Sequence, residues 1–183
     1  LSILWSNGSP IYYVIGFSAS VLQFLSLLFL FKILQQACST LKWNVISKVL
    51  LNFLVIAYSL KVISQVLSAF PYFVQKSLAL KPFFIIGYLH LFTLAFMSVF
   101  IWLILSNLGK LNLKTTVSKI GIVTFLSGII LTELLLFGQG FLILAQIKTI
   151  LNYNVCLLFF SCILLLGIFL VFISQFLKPK IVL

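Results

Sequence analysis

Three side chains that can ionise lie inside long apolar stretches of this sequence: Lys61, His90 and Glu133. His90 is the only histidine and Glu133 the only acidic residue among the 183 residues. An ionisable side chain within a membrane-spanning segment costs about 2.5–3.5 kcal/mol on insertion scales, so such residues usually face a bundle interior and have partners. Any chemistry of this chain would therefore have to use these three side chains.

The residue types allow more than one interpretation of each. Lys61 and Glu133 can form a buried ion pair that fixes helix packing, can line a path for protons or ions, or can each have a separate partner. His90 can be a neutral imidazole hydrogen-bonded to a neighbouring helix, or an axial ligand of a haem or another metal. A lone histidine cannot build a conventional metal site, so further ligands would come from outside this chain.

Other kinds of site are excluded by the composition or unsupported by it. The chain has no aspartate and a single glutamate, which rules out a Ser-His-Asp triad and a pair of catalytic carboxylates. No glycine-rich phosphate-binding loop occurs. Cys38, Cys156 and Cys162 are too few and too dispersed for a disulfide framework or a zinc site. We therefore expect no catalytic residues, and the residue inventory favours a protein that is not an enzyme.

The overall composition is that of a membrane protein. Hydrophobic residues make up 63% of the chain and charged residues only 7%, whereas soluble domains carry about 25% charged residues. The net charge of +11 comes from lysines, most of which lie in short segments between apolar stretches. That distribution sets topology in a bilayer, and it does not form the clustered basic face of a nucleic-acid-binding protein.

The apolar stretches predict an all-α bundle of about five transmembrane helices in a single domain. Each stretch is long enough to cross a hydrocarbon core of about 30 Å at 1.5 Å per residue. The predicted spans are 11–34, 48–70, 82–106, 120–146 and 155–177. The fourth carries Gly121, Gly128, Gly138 and Gly140, small residues that allow close helix approach.

Polar residues of the second span share one helical face. Tyr58, Lys61, Gln65 and Ser68 recur at spacings of three or four residues. Counted from the outer ends of their predicted spans, Lys61, His90 and Glu133 all lie about 12–14 Å deep at 1.5 Å per residue. We therefore predict that these three ionisable residues occupy a common level in the membrane.

The lysines also predict the orientation of the bundle. Eight fall on one predicted side and three on the other, and the positive-inside rule assigns the richer side to the cytoplasm. Five spans then give an outside N-terminus and a cytoplasmic C-terminus. The eight are Lys32, Lys42, Lys48, Lys110, Lys114, Lys119, Lys178 and Lys180, and the three are Lys76, Lys81 and Lys148.

A stretch around the histidine resembles a known group of proteins. Residues 87–98 (GYLHLFTLAFMS), together with Thr132-Glu133 and Gln139-Gly140, resemble a set of uncharacterised Bacteroidota inner-membrane proteins. That set is distantly similar to the NnrS family and to haem-copper oxidase subunit I. The resemblance implies a bacterial inner-membrane location and His90 as a ligand of haem b. This chain has Ala95 where the pattern implies glycine.

Three functions therefore follow as expectations. The first is a non-enzymatic membrane subunit that packs against partner spans in a larger assembly. Its partners would be other proteins or further spans of the same chain, since the sequence begins with Leu1 and not methionine and we expect it to be a piece of a longer one. The second is a haem-binding or electron-transfer protein that uses His90. The third is a small-solute or proton carrier that uses Lys61 and Glu133.

Overall fold

The computed structural model describes residues 10–40, 44–70, 72 and 81–176. Their long helices are α1 (Pro10–Thr40), α2 (Val45–Ser68), α3 (residues 81–107), α4 (Thr116–Leu144) and α5 (Tyr153–Ser174). No strand occurs in the described ranges. Five helices are long and apolar enough to cross a membrane, which confirms the predicted all-α transmembrane fold.

The helix ends differ from the predicted spans by a few residues. The largest differences are at the C-terminus of α1, which runs to Thr40, and at the N-terminus of α4, which begins at Thr116. The Thr115 side chain caps α4 by accepting a hydrogen bond from the Ser118 backbone N–H at 3.2 Å. Hydropathy marks the part of a helix that lies in the hydrocarbon core and does not mark the ends of the helix. A helix continues beyond that core because lysines such as Lys119 can extend to the polar interface.

Helix α3 contains an irregularity that the apolar pattern does not reveal. It consists of an α-helical segment, Lys81–His90, a π-helical segment, Leu91–Ser98, and a second α-helical segment, Val99–Asn107. The Ser98 hydroxyl donates a hydrogen bond to the Thr93 backbone oxygen at 3.2 Å, five residues back. Such π-helical turns are rare and are frequent at functional sites. Here the turn begins immediately after His90.

Helices α4 and α5 approach each other closely along a line of glycines. A Cβ added to Gly121 or Gly128 would lie 2.9 Å from backbone atoms of Val171 or Leu164. On the other side of the contact, a Cβ on Gly167 would lie 2.4 Å from the Phe125 backbone nitrogen. These positions fit the predicted role of small residues in helix packing.

The hydrophobic core lies between α2, α3 and α4. It contains buried residues such as Leu54 and Ala57 of α2, Leu91 and Ala95 of α3, and Ile129 of α4. At its edge the rings of Trp102 and Phe125 pack with centroids 4.5 Å apart. This core holds the three helices that carry Lys61, His90 and Glu133 in one bundle.

Helix α1 lies at the periphery and packs on α2. The Phe17 and Phe70 rings meet edge to face at 5.9 Å, and the Ser20 hydroxyl donates to the Gln65 backbone oxygen at 3.4 Å. Most of its other apolar side chains, such as Leu22 and Phe29, are exposed. In a bilayer such side chains face lipid, so the exposed apolar surface agrees with an integral membrane protein.

Candidate functional site

Lys61 lies in the bundle interior and has a definite polar partner. Its side chain is 8% exposed, and its ammonium group donates a hydrogen bond to the Gln23 side-chain oxygen of α1 at 2.9 Å. The same nitrogen lies 5.8 Å from the centroid of the Tyr58 ring and 5.7 Å from that of the Phe92 ring. An amide dipole and two aromatic faces therefore stabilise this cation.

The predicted ion pair between Lys61 and Glu133 is not formed. Both Glu133 carboxyl oxygens are buried and accept no hydrogen bond from a described residue, while Lys61 donates to Gln23 instead. Depth along a helix does not determine the direction in which a side chain points. Lys61 extends towards α1, whose antiparallel packing on α2 places Gln23 opposite it. Gln23 was missed as a partner, although a glutamine in the middle of an apolar span is itself a signal for one.

Glu133 occupies the face of α4 that packs against α3. Its side chain is 9% exposed. Phe137, four residues further on, lies 3.1 Å from a Cβ built on Gly87 of α3, and Gly140 faces Phe84 in the same way at 3.3 Å. Residues four apart lie on one side of a helix, so Glu133 faces the same neighbour. Its carboxyl group is therefore enclosed between helices.

His90 and Glu133 lie at about the same level along the bundle axis. From the contact between Gly87 and Phe137, His90 is three residues along α3 and Glu133 four residues back along α4. Because α3 and α4 are antiparallel, both displacements run in the same direction along the bundle axis. They are about 4.5 Å along α3 and 6 Å along α4, at 1.5 Å per residue. The Nδ1 atom of His90 is buried and has no hydrogen-bond partner in the described ranges. Two groups without partners there thus lie at one level on neighbouring helices.

Lys61 completes this level from the other side of α3. Its ammonium group lies over the ring of Phe92, which is two residues from His90. Lys61 follows Ala57 by one helical turn on α2, and Glu133 follows Ile129 by one turn on α4. Ala57 and Ile129 belong to the same core cluster. We call the set Gln23, Lys61, His90 and Glu133 the polar layer, because it covers one end of that core across four helices.

The other polar residues of the α2 face have structural contacts. The Tyr58 ring packs on Phe96 with centroids 5.4 Å apart. The Gln65 backbone oxygen accepts hydrogen bonds from Ser20 and Ser68 hydroxyls at 3.4 and 2.8 Å. The Gln65 side-chain oxygen, one turn beyond Lys61, is buried and has no hydrogen-bond partner among the described residues. Polar groups therefore continue from the polar layer towards the C-terminal end of α2.

The described residues supply at most one ligand for a haem. The His90 imidazole makes no hydrogen bond to any described residue, so it is free to ligate iron. Among these residues, however, no group of three or more histidine, cysteine, aspartate or glutamate side chains could hold a metal ion. His90 is also the only histidine of the sequence, so a second imidazole ligand to haem iron would come from outside these 183 residues.

Comparison of this chain with known protein families, with curated proteins and with solved structures found no match in any of the three. The polar layer therefore has to be interpreted from its own geometry. The five apolar helices indicate an integral membrane protein, and the described residues leave one buried carboxyl group, that of Glu133, without a hydrogen-bond partner.

Proposed function

We propose that this protein conducts protons through the membrane and that Glu133 is the group that binds and releases them. The observation that supports the proposal is the burial of both Glu133 oxygens without a hydrogen-bond partner. An ionised carboxylate in such surroundings is costly unless a cation or a donor reaches it. No described residue does so. A proton taken from water neutralises the group without further rearrangement of the protein.

His90 and Lys61 have distinct roles in this proposal. His90 has a free Nδ1 atom at the level of Glu133, and an imidazole can accept a proton at one nitrogen and release one from the other. Lys61 is held away from the carboxylate by Gln23. Its positive charge therefore offsets, at longer range, the negative charge that Glu133 acquires when its proton leaves.

The membrane-subunit function is the second candidate, and the same carboxyl group supports it. A donor from a partner helix that reaches Glu133 would satisfy the group permanently. Co-purification of this protein with a stoichiometric partner, together with no proton flux, would favour this function. The haem function rests on the resemblance around His90, and a Soret absorption band that is lost in His90→Ala would be its signature.

The test of the proposal is proton flux into vesicles. The purified protein is reconstituted in liposomes that contain a pH-sensitive dye, and a potassium gradient with valinomycin supplies the driving force. We expect acidification faster than in protein-free liposomes, and we expect Glu133→Gln to reduce it to the protein-free rate. The amide is similar in size but has no group that ionises near neutral pH, so it cannot bind and release a proton as a carboxyl group does.

Thr132→Val is the matched control for this experiment. Thr132 is the neighbouring residue and is 1% exposed, but its hydroxyl donates to the Gly128 and Ile129 backbone oxygens of its own helix. Its loss should leave flux within about twofold of the wild-type rate, a difference of about 0.4 kcal/mol. Unchanged flux in Glu133→Gln, or wild-type flux no faster than in empty liposomes, would contradict the proposal.

A further inference from the structure

A second feature lies at the opposite end of the bundle from the outer polar groups. The described residues form an open cleft of about 940 Å³ between the start of α2, the end of α3 and the loop that leads into α4. Lys114 and Lys119 line it together with Asn44, Ser47 and Ser106. We call it the lysine-rich cleft. The positive-inside rule places this end of the bundle at the cytoplasmic surface.

The charge in this cleft is not neutralised by the protein. Neither the Lys114 nor the Lys119 ammonium group forms a hydrogen bond or an ion pair with a described residue. The chain's only acidic residue is Glu133, which lies fourteen residues along α4 from Lys119. That is about 21 Å of helix at 1.5 Å per residue, well beyond the screening length of about 8 Å at physiological ionic strength.

The backbone of the cleft adds hydrogen-bond donors. Helix α2 begins there, and the Asn44 side chain makes no capping hydrogen bond. The N–H groups of Val45, Ile46 and Ser47 precede the first intrahelical donor, since the first bond runs from Lys48 to the Asn44 oxygen at 3.0 Å. Free N–H groups at a helix start attract anions, and two lysines beside them reinforce that attraction.

The loop that carries Lys114 is held in place by hydrogen bonds. The Gln175 side-chain oxygen accepts a hydrogen bond from the Asn112 N–H at 2.8 Å, and the Lys114 N–H donates to the Asn112 side-chain oxygen at 3.1 Å. Leu113 between them is 2% exposed. Because the loop is anchored at the end of α5 in this way, the backbone of Lys114 is already ordered before a ligand binds, which reduces the entropy lost on binding.

We propose that the lysine-rich cleft binds the phosphate-bearing headgroup of an anionic lipid. The lining combines cations with apolar residues, Val45, Ile46 and Leu111, at the ends of transmembrane helices, where headgroups lie. A phosphate would meet the lysines and the free N–H groups of α2, and the glycerol and upper acyl chain would meet the apolar residues. A soluble phosphate would gain nothing from that apolar part.

The test uses the purified full chain in neutral detergent, with dioleoyl phosphatidylglycerol titrated and the bound lipid counted by native mass spectrometry. One lysine near an anionic surface contributes about a fivefold gain in affinity. We therefore expect Lys114→Gln/Lys119→Gln to weaken phosphatidylglycerol binding about 25-fold. Lys114→Arg/Lys119→Arg should bind the lipid about as well as the wild type, since the charge is kept. Elution of each variant as a single species in size-exclusion chromatography verifies its folding.

The matched control is Lys81→Gln/Lys148→Gln, which removes the same charge at the other end of the bundle. It should bind phosphatidylglycerol within about twofold of the wild type. Equal weakening by both double variants would overturn the proposal, because it would show non-specific attraction to a cationic protein. Competition by inorganic phosphate at the same concentration as the lipid would also overturn it, because the apolar part would then contribute nothing.

Discussion

At the scale of single residues, the main cost in this protein is the burial of charge. The Lys61 ammonium group is stabilised by one amide oxygen and two aromatic rings in place of a counter-ion. A hydrogen bond from a charged donor contributes about 1.5–3 kcal/mol. Since the side chain is long, its stem can cover the core above Ala57 while its head reaches a different helix. Gln23 therefore contributes, with the Phe17–Phe70 and Ser20–Gln65 contacts, to the position of α1 on α2.

This pairing leads to a prediction for the two residues. Gln23→Leu should destabilise the protein because Lys61 then keeps a buried charge without its acceptor. Lys61→Met should be milder, since the remaining amide is neutral. In the double variant we expect part of the loss to be recovered, with a coupling of about 1.5–3 kcal/mol. The measurement is the free energy of unfolding in detergent during denaturant titration.

A second glutamine provides the comparison. Gln139 is also buried, at 6% exposure, but it accepts a hydrogen bond from the Ile150 N–H at 2.9 Å and shares no partner with Lys61. Gln139→Leu combined with Lys61→Met should therefore be additive within about 0.5 kcal/mol. A coupling between Gln23 and Lys61 no larger than this value would show that their hydrogen bond does not stabilise the protein.

At the scale of helices, α4 organises the bundle. One of its sides packs closely on α5 through Gly121 and Gly128, and another carries Glu133 against α3. Within a bilayer, apolar burial gives little driving force between helices, so close backbone packing contributes much of the association. Helix α3 differs, because its π-helical turn after His90 shifts the direction of every later side chain relative to the earlier ones.

The glycine contact between α4 and α5 can be tested with one methyl group. A Cβ on Gly167 would lie 2.4 and 2.6 Å from the Phe125 backbone nitrogen and Cα. Neither atom can move without displacing its helix. We expect Gly167→Ala to lower the free energy of unfolding by about 1–3 kcal/mol, the usual range for overpacking. Thermal or denaturant unfolding in detergent measures the change.

Gly138→Ala is the matched control for this substitution. A Cβ at Gly138 has nothing within 4 Å, so the variant should gain up to about 1 kcal/mol from the better helix propensity of alanine. Equal stability of the two alanine variants would mean that α4 and α5 do not pack through Gly167.

At the scale of the whole molecule, charge is distributed unevenly along the bundle axis. In the described part of the chain, five lysines lie towards one end, Lys32, Lys48, Lys110, Lys114 and Lys119, whereas Lys81 and Lys148 lie at the other. The polar layer lies between the two ends, nearer to the lysine-poor one. If the protein carries protons through Glu133, water would therefore reach that residue past the polar groups around Gln65, at the lysine-poor end.

This asymmetry predicts the orientation of the protein in its membrane. A reporter fused after the loop at residues 108–115 should be active only as a cytoplasmic reporter, and one fused between α4 and α5, at Lys148, only as an external reporter. Alkaline phosphatase and green fluorescent protein fusions measure the two sides. An external reporter signal from the loop at residues 108–115 would reverse the orientation and place the lysine-rich cleft outside.

The number of spans, their order and the positions of the three ionisable residues within them follow from the sequence alone. Hydropathy is summed over some twenty residues, so the prediction of a transmembrane helix tolerates errors of several residues at its ends. The common level of Lys61, His90 and Glu133 also follows from counting residues, because the rise per residue is constant. These properties depend on distance along a helix, which a sequence contains.

Only the tertiary structure decided which side chains meet. The sequence could place Lys61 and Glu133 at one depth but not choose between Glu133 and Gln23 as the partner of Lys61. That choice depends on the direction of a side chain around its helix and on which helix is adjacent, and shifts of a few ångströms change it. The π-helical turn in α3 and the contact of Gly167 with Phe125 are decided in the same way, because packing between helices, and not local preference, sets their geometry.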